Sequence, residues 1–136
     1  MEISDIKVEE FTSPYVISIS SKDQLDRALQ LMQENGIRHL PVIDDGNVMG
    51  MISERDVLTH MGKVWDKVLH VEDIMNSDIL SVNVNDNLGD VAFQLSSQKK
   101  GSALVLDEDG SVYGIFTTTD ALNALVEIFL QQNFKS

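Results

Sequence analysis

Two pairs of residues in this sequence combine a hydroxyl and a carboxylate at the same spacing: Ser53 with Asp56, and Thr117 with Asp120. Each hydroxyl residue follows an apolar run, and the spacing is that of a capping box at a helix N-terminus. A helix N-terminus presents free N–H groups and a partial positive charge, which favour a phosphate. An ionised Asp only accepts hydrogen bonds, so its two oxygens match the paired hydroxyls of a ribose. Taken alone, each pair predicts the start of a helix, and the same geometry also suits a bound sugar and phosphate.

The sequence lacks the residue patterns of the common catalytic mechanisms. It contains no cysteine, which excludes disulfides, thiolate metal sites and cysteine nucleophiles. It has no P-loop, no Gly-x-Ser-x-Gly elbow and no His-Glu-x-x-His motif. His39, His60 and His70 have no second histidine at i+3 or i+4, so we expect no metal site. The composition therefore favours a protein that is not an enzyme and has no catalytic residues.

The sequence is strongly acidic, with 10 Lys and Arg against 22 Asp and Glu and a formal net charge of −12. This charge repels phosphate backbones and anionic lipids, so nucleic acid and membrane partners are disfavoured. The N-terminus lacks the basic start and apolar run of a signal peptide, and no stretch approaches the roughly 18 apolar residues of a membrane span. We expect a soluble, cytoplasmic protein whose 136 residues form one compact domain.

The second half of the chain repeats the first. Residues 8–11 recur as residues 71–74 at a shift of 63, and residues 46–53 recur as residues 110–117 at a shift of 64. A repeat of this length indicates two copies of one supersecondary unit. The copies are assigned to residues 8–68 and 71–131.

Each copy is expected to fold as a strand, a helix, two further strands and a closing helix. The expected strands are residues 16–19, 40–43 and 48–53 in the first copy, and residues 79–84, 103–106 and 112–117 in the second. The first helix of each copy has apolar residues at i, i+3, i+4 and i+7: Leu25, Ala28, Leu29 and Met32, then Leu88, Val91, Ala92 and Leu95. Asp23 and Asp86 are the expected N-caps, and Gly36 is expected to end the first helix.

The closing helices carry more apolar residues than one buried stripe requires. The closing helix of the first copy carries Val57, Leu58, Met61, Val64, Trp65 and Val68, and that of the second copy carries Ala121, Leu122, Ala124, Leu125, Ile128 and Phe129. Most of these side chains are expected to lie in the core. Because the second helix is apolar on more than one stripe, part of it is expected to bury against a second subunit or a partner.

Several short motifs recur in the same order in both copies. Residues 50–56 and 114–120 share the pattern Gly, two apolar residues, Ser or Thr, any two residues and Asp; they accompany Leu-Pro-Val-Ile-Asp at 40–44 and Val-Glu-Asp-Ile-Met at 71–75. With these motifs the chain resembles a tandem CBS-domain pair, or Bateman module, over nearly its whole length. The resemblance implies an α+β fold with α/β-like repeats. Two βαββα repeats would be related by a pseudo-twofold axis, with three-stranded sheets packed against each other, flanking helices and two clefts. The second copy departs from the family pattern at Leu104, where the first has Pro41.

The resemblance also implies which residues line the two clefts, each of which draws on both copies. Asp120 and Asp56 are the implied ribose-binding residues. The preferred cleft would be lined by Thr12, Ile17, Ile37, Arg38, Thr117, Thr119 and Asp120. The second cleft would be lined by His39, Ser53, Arg55, Asp56, Met75, Leu80 and Gly101. The first is preferred because it offers threonine hydroxyls and an Arg that could face phosphate, whereas the second has Met75 where the first has Thr12. His39 could instead be an exposed strand-edge residue.

Members of this family commonly bind adenosine-containing ligands and regulate another protein by changing shape. The resemblance therefore implies a non-catalytic sensor of an adenine nucleotide, AMP, ADP or ATP, with or without Mg²⁺, and no required cofactor. It also implies a homodimer formed through the closing helices and a separate effector protein. The alternative is a dimerisation or protein-interaction module whose clefts bind no ligand.

Overall fold

The protein has a mixed α+β fold in which one set of elements occurs twice, as the sequence predicts. The structure is a computed structural model that describes residues 3–14, 17–61 and 68–134. In chain order the elements are β1 (Ser13–Pro14), α1 (Leu25–Asn35), β2 (His39–Asp44), β3 (Asn47–Ser53), α2 (Glu54–Met61), α3 (Val71–Ile74), β4 (Leu80–Asn83), α4 (Leu88–Gln98), β5 (Ser102–Leu106), β6 (Val112–Thr117) and α5 (Thr118–Phe134). Two short 3-10 helices, Ile3–Asp5 and Val8–Phe11, precede β1.

The chain forms two compact units that do not follow the boundaries of the sequence copies. Unit 2 is the continuous stretch Ile17–Ile79, whereas unit 1 combines the N-terminal segment with the chain from Leu80 onward. The helical segment that opens each sequence copy therefore packs with the strands of the other copy. Because of this exchange, the boundaries of the compact units differ from those of the sequence repeats at residues 8–68 and 71–131.

The same backbone contact fastens the exchanged segment in each unit. In unit 1 the Val8 N–H donates to the Asp86 carbonyl oxygen at 2.8 Å, and in unit 2 the Val71 N–H donates to the Asp23 carbonyl oxygen at 2.8 Å. Val8 and Val71 are both fully buried. The two units therefore use equivalent residues for equivalent contacts, although the residues come from opposite parts of the chain.

Unit 1 is built on a four-stranded sheet in the order β1, β6, β5, β4. Strands β4 and β5 are parallel, and the other neighbours are antiparallel. The core combines residues of the sheet, α4, α5 and the N-terminal segment: Val8, Leu80, Val82, Val84, Leu88, Val91, Leu95, Ala103, Val105, Phe116 and Ala124. Because Phe116 is fully buried in β6, this core supports the strand that leads into the Thr117 turn.

Unit 2 contains the antiparallel pair β2 and β3, to which isolated bridges add Ile19 and Asn76. Its core consists of Ile19, Leu25, Ala28, Met32, Leu40, Val42, Ile52, Val57 and Val71. Leu25, Ala28 and Met32 are the buried residues of α1, and Leu88, Val91 and Leu95 are those of α4. These positions confirm the helical periodicity predicted for both copies.

The strand predicted at residues 16–19 is wrong in extent. Val16 lies outside the described residues, and Ile19 makes one isolated parallel bridge. The equivalent strand of the second copy, β4, pairs with β5 along its whole length, Leu80–Asn83. Ile19 donates its N–H to the Pro41 carbonyl oxygen at 3.1 Å, but Pro41 has no N–H with which to extend the ladder. Leu104 stands at the equivalent position of β5 and retains that donor.

The predicted N-caps Asp23 and Asp86 are each wrong by one residue. The N-caps are Gln24 for α1 and Asn87 for α4. The Asp23 and Asp86 carboxylates instead accept hydrogen bonds, at 3.1 Å and 2.9 Å, from backbone N–H groups three residues earlier. Because these bonds hold the carboxylates toward the preceding segment, both residues close the turn before the helix.

Replacing Asn87 with Ala is expected to lower the free energy of unfolding by about 1 kcal/mol. The Asn87 side chain accepts hydrogen bonds from the N–H groups of Gly89 and Asp90, at 2.9 Å and 3.2 Å, and the variant would leave both donors without this partner. Gln24→Ala is the matched control because Gln24 makes no side-chain bond to α1. Urea unfolding measures both variants, and equal losses at the two positions would contradict the cap assignment.

The ends of the helices are only partly as predicted. Gly36 ends α1 with a φ of 63° and donates its N–H to the Met32 carbonyl oxygen, as expected for a left-handed C-terminal glycine. Val64 and Trp65, which were expected in the first closing helix, lie outside the described residues. Val68 was also expected there, but it is exposed and not helical.

Candidate functional site

The turn from β6 into α5 is closed by reciprocal hydrogen bonds between Thr117 and Asp120. The Thr117 N–H donates to Asp120 Oδ2 at 2.9 Å, and Thr117 Oγ1 donates to the same oxygen at 3.1 Å. The Asp120 N–H donates back to Thr117 Oγ1 at 3.2 Å. This complete capping box orients a half-buried carboxylate at the start of α5. Both Thr117 donors bind Asp120 Oδ2, so no hydrogen bond within the turn uses Oδ1.

The equivalent turn from β3 into α2 is held by fewer contacts. The Asp56 N–H donates to Ser53 Oγ at 3.1 Å, and within the described residues this is the hydrogen bond that joins the pair. The capping function predicted for both motifs is therefore confirmed at Thr117, and at Ser53 only its hydroxyl half is present. The Asp56 carboxylate is half-buried and is not oriented by the Ser53 N–H.

Backbone contacts already occupy part of each helix N-terminus. The first N–H of α2 donates to the Arg38 carbonyl oxygen at 2.8 Å, and the first N–H of α5 donates to the Gly101 carbonyl oxygen at 3.1 Å. Neither these contacts nor the capping bonds use the N–H groups of Arg55 and Thr119, which are the remaining residues of the two turns. A phosphate at either turn would depend mainly on side chains such as the Thr119 hydroxyl, because few helix N–H groups are open to it.

The glycine that opens each motif allows another segment to cross closely. A Cβ at Gly114 would overlap the carbonyl oxygen of Ser13 and lie 3.0 Å from Pro14 Cα. A Cβ at Gly50 would lie 2.7 Å from the carbonyl oxygen of Asn76. These contacts belong to the β1–β6 pairing in unit 1 and to its single-bridge counterpart in unit 2. Backbone packing therefore requires both glycines, whatever the motif binds.

The crossing segments place Thr12 and Met75 at equivalent positions in the two units. Each residue immediately precedes the segment that crosses the motif strand. Thr12 is buried, and its Oγ1 donates to the Val8 carbonyl oxygen at 2.8 Å. Met75 is half-buried, and its Sδ would lie 3.1 Å from a Cβ at Gly50. Unit 1 thus has a hydroxyl where unit 2 has a thioether.

The structure divides the predicted lining residues between the two units. Unit 1 contains Thr12, Leu80, Gly101, Thr117, Thr119 and Asp120, and unit 2 contains Ile17, Ile37, Arg38, His39, Ser53, Arg55, Asp56 and Met75. Within unit 2, His39 is half-buried and pairs with Ser53 across β2 and β3. The predicted grouping of residues from different units in one cleft stays a prediction.

A polar cluster around Asp44 in unit 2 was not predicted. Asp44 Oδ1 accepts hydrogen bonds from Ser20 Oγ and the Ser21 N–H, both at 3.0 Å, and Oδ2 accepts one from Ser21 Oγ. The Ser21 hydroxyl, followed by the Ser21 N–H, lowers the pKa of the Asp44 carboxyl below its usual value. The sequence signal was the Ser-Ser pair before α1. In the second copy Val84 and Asp107 stand at the positions of Ser21 and Asp44, so the cluster is particular to unit 2.

Neutralising Asp44 is expected to weaken the acid dependence of stability. Because its pKa is lower in the folded protein, the carboxylate contributes stability above the unfolded value of about 3.9, and the contribution disappears as the pH falls through the folded pKa. In Asp44→Asn, the free energy of unfolding at pH 7 should therefore be lower than in the wild type. Between about pH 4 and the folded pKa, it should also decrease less with acidification than it does in the wild type. Urea unfolding from pH 7 to pH 2.5 measures this, with exposed Asp5→Asn as the control. Parallel curves for Asp44→Asn and the wild type would contradict the role of the cluster.

Across residues 3–14, 17–61 and 68–134, no group of three or more His, Asp or Glu side chains is arranged to hold a metal ion. No helix in that part of the chain combines the length and apolar character needed to cross a bilayer.

The two sequence copies match one known family. The family model named CBS domain matches residues 8–63 and residues 71–127. The chain belongs to the CBS-domain family. Its Ser53 and Thr117 motifs thus lie in two tandem CBS repeats, and the family predicted from the repeated motifs is confirmed.

Similar proteins and solved structures cover most of this CBS-domain chain. An uncharacterised 33.4 kDa protein of Thermofilum pendens is 29% identical in an alignment of 150 positions, gaps included, that covers 96% of this chain and 49% of that protein. The structure of CBSX2 in complex with AMP, a CBS-pair protein from Arabidopsis thaliana, is 31% identical with a TM-score of 0.72 and covers 90% of this chain and 97% of that chain. An uncharacterised conserved protein of Pyrococcus horikoshii is 28% identical with a TM-score of 0.78, covering 91% and 94%. In three curated relatives the chain spans 40% to 49% of their length.

Proposed function

We propose that this CBS-domain pair is a regulatory sensor that binds an adenine nucleotide between its repeats and transmits a conformational change to a partner protein. The ligand is AMP, ADP or ATP, with Mg²⁺ accompanying only the polyphosphates. The protein acts in the cytoplasm as a homodimer, requires no cofactor and catalyses no reaction. Ligand and effector are coupled because each changes the affinity of the protein for the other.

The Thr117–Asp120 turn is the observation that supports this function most directly. Its reciprocal hydrogen bonds fix the Asp120 carboxylate before any ligand arrives, which reduces the entropy lost on binding. Since the capping bonds use Oδ2, Oδ1 can accept a hydrogen bond from a ribose hydroxyl without dismantling the turn. Thr119, on the exposed side of the same turn, adds a hydroxyl for the phosphate.

Similarity to an AMP complex supports an adenine nucleotide over other ligands. The CBSX2 structure with AMP is 31% identical to this chain over 90% of its length. Similarity at this level supports a common class of ligand, although fold alone would not. AMP is therefore the first ligand to test, followed by ADP and ATP.

The cleft around Asp120 is the proposed principal site, with Thr12, Ile17, Ile37 and Arg38 as its remaining wall. Thr12 contributes a buried hydroxyl in the same unit as Asp120, and its Oγ1 can still accept a hydrogen bond after donating to Val8. The cleft around Asp56 is proposed as the weaker site. Its turn lacks the second half of the capping box, and Met75 replaces the hydroxyl.

Thermal unfolding with and without nucleotides tests the proposed function. A ligand at a hundred times its dissociation constant adds about 2.7 kcal/mol to the free energy of unfolding. We expect AMP, ADP or ATP, with and without Mg²⁺, to raise the melting temperature by several degrees, with NAD and S-adenosylmethionine as further candidates. GMP is the control because it keeps the ribose and phosphate and changes only the base. No selective rise with any adenosine ligand would count against a sensor.

A ligand-independent interaction module is the second candidate, favoured by the apolar surface of α5. Leu122, Leu125 and Phe129 are exposed, although Ala124 of the same helix is buried in the core of unit 1. Apolar side chains grouped on one exposed face mark an interaction surface. A stable dimer that shows no nucleotide-dependent melting would favour this function, and a monomer at high concentration by light scattering would count against it.

A further inference from the structure

Residues 3–14, which we call the strap, belong to unit 1 in space but are separated from the rest of it in sequence. After Pro14 the chain enters unit 2 at Ile17, and unit 1 resumes only at Leu80. The strap is therefore joined to the rest of unit 1 only through residues 17–79. Its separation from unit 1 would disrupt the β1–β6 pairing and leave the helices and other strands of that unit intact.

The equivalent segment of unit 2, residues 69–76, is held by the same contacts but has a different connection. The Leu25 N–H donates to the Leu69 carbonyl oxygen at 3.3 Å, and in unit 1 the Leu88 N–H donates to the Ile6 carbonyl oxygen at 2.8 Å. However, residues 69–76 follow α2 after a short connection within the same unit. A short connection keeps a displaced segment near its place, so redocking costs little entropy. Because the strap has no such connection to unit 1, it is the less firmly tethered of the two segments.

Few side chains hold the strap on unit 1. Val8 is its fully buried apolar residue, and Ile6 and Phe11 are only partly buried against the core. Strand β1 contributes a pairing of two residues with β6. Lys7 Nζ donates to Asn85 Oδ1 at 3.1 Å, but this contact is exposed to water. Segments with few buried contacts open at a lower free energy than the core, so the strap should open before unit 1 unfolds.

Val8 connects the docking of the strap to the position of Thr12. The Val8 N–H donates to the Asp86 carbonyl oxygen at 2.8 Å, and the Val8 carbonyl oxygen accepts the Thr12 hydroxyl at 2.8 Å. The Thr12 N–H donates to the Glu9 carbonyl oxygen at 3.2 Å, also within the strap. Thr12 therefore moves with Val8. Asp120, in contrast, is fixed at the start of α5 by bonds that the strap does not supply.

We infer that the strap is the part of the protein that responds to nucleotide, and that Val8 is the residue that positions Thr12 for binding. The inference rests on the proposed function and names its moving element. A nucleotide that contacts both Thr12 and Asp120 binds only while the strap is docked, so its binding holds the strap in place. By linkage, docking of the strap raises nucleotide affinity by the same factor as nucleotide favours docking.

Amide hydrogen exchange of the whole chain, followed by NMR, tests the strap with an internal control. The Val8 and Val71 N–H groups are a matched pair, because both residues are fully buried and each N–H makes a 2.8 Å bond to a carbonyl oxygen. Without nucleotide, we expect the Val8 N–H to exchange about tenfold faster than the Val71 N–H, or more. AMP at about a hundred times its dissociation constant should slow exchange at Val8 about tenfold or more, and should slow Val71 less.

The outcomes of this experiment separate the strap from the proposed function. Equal exchange rates at Val8 and Val71 without AMP would overturn the strap. A melting temperature that rises with AMP while both amides slow by the same factor would also overturn the strap, and would leave the sensor function intact. If no adenine nucleotide changes either the exchange rates or the melting temperature, the sensor function and the strap are both wrong.

Replacement of the two valines tests Val8 as a positioning residue. Val8→Ala and Val71→Ala remove the same buried methyl groups, so both variants should lose stability. We expect Val8→Ala to weaken the tighter AMP site by about threefold or more, and Val71→Ala to change that affinity little. Isothermal titration measures the affinities, and circular dichroism verifies that each variant is folded. Equal AMP affinities in the two variants would mean that Val8 has only a structural role. If Val8→Ala does not fold, the exchange rates of the wild type decide the question.

Discussion

Replacing Asp120 with Asn will weaken AMP binding by about tenfold to a hundredfold. The amide can still accept the Thr117 N–H, so the start of α5 is preserved. It no longer offers a charged acceptor to the ribose hydroxyls, and hydrogen bonds to charged groups are the stronger ones. Because Asn is also a good capping residue, the free energy of unfolding without ligand should fall by no more than about 1 kcal/mol.

Isothermal titration of AMP into Asp120→Asn and Asp56→Asn separates the two turns. Asp56→Asn is the matched control because it makes the same chemical change at the turn that lacks the reciprocal bonds. We expect Asp120→Asn to lose more affinity than Asp56→Asn. Unchanged affinity in Asp120→Asn, with the wild type binding normally, would remove Asp120 from the site. An equal loss in both variants would contradict the preference for one cleft.

Replacing Gly114 with Ala will lower the free energy of unfolding by about 2–4 kcal/mol. The added Cβ would overlap the Ser13 carbonyl oxygen, and the obstruction is backbone that belongs to the β1–β6 pairing. Relief requires β1 to move away, which also disturbs the segment that holds Thr12. The variant should therefore lose stability and also bind AMP more weakly.

Urea unfolding compares Gly114→Ala with two other glycine variants. Gly50→Ala should cost less, because the nearest atom to its Cβ lies 2.7 Å away and the crossing consists of one bridge. Gly89→Ala is the control: Gly89 is exposed in α4, and its Cβ would meet only the Asn87 side chain, at 3.1 Å. Since Ala is a better helix former than Gly, Gly89→Ala should be neutral or slightly stabilising. A Gly114→Ala protein as stable as the wild type would show that the close crossing is not required.

The local patterns of the sequence predicted the elements well. Helices α1 and α4 bury the positions that a period of 3.6 selects, and the strands at β5 and β6 lie within a residue of their expected bounds. These features depend on side chains that are close in sequence. Because the chain contains two copies of the repeat, each element is also predicted twice, once from each copy.

The errors arose where distant residues decide the structure. The strand at residues 16–19 had suitable apolar residues, but its ladder depends on a donor that Pro41 lacks. Asp23 has a good capping side chain, yet its carboxylate accepts a hydrogen bond from the Ser20 N–H at 3.1 Å and does not cap the helix. The exchange of N-terminal segments between units leaves no local signal, because Val8 and Val71 look alike in sequence whichever strands they pack on.

The two turns of the candidate site were predicted to a similar extent. The Ser53 and Thr117 motifs identified both helix starts, and aligning the copies correctly matched Thr12 with Met75 as equivalent positions. The unequal closure of the turns was not predictable, because both motifs present a hydroxyl and an Asp at the same spacing. The Asp44 cluster was missed since Ser21 lies 23 residues away in sequence.

Calorimetric titration of the wild-type protein with AMP shows whether this CBS-domain pair binds an adenine nucleotide. We expect saturable binding that ADP or ATP competes with and GMP does not, and we expect the tighter site to be weakened in Asp120→Asn. If none of the three adenine nucleotides gives saturable binding at millimolar concentration, the sensor function is wrong and the interaction module takes its place.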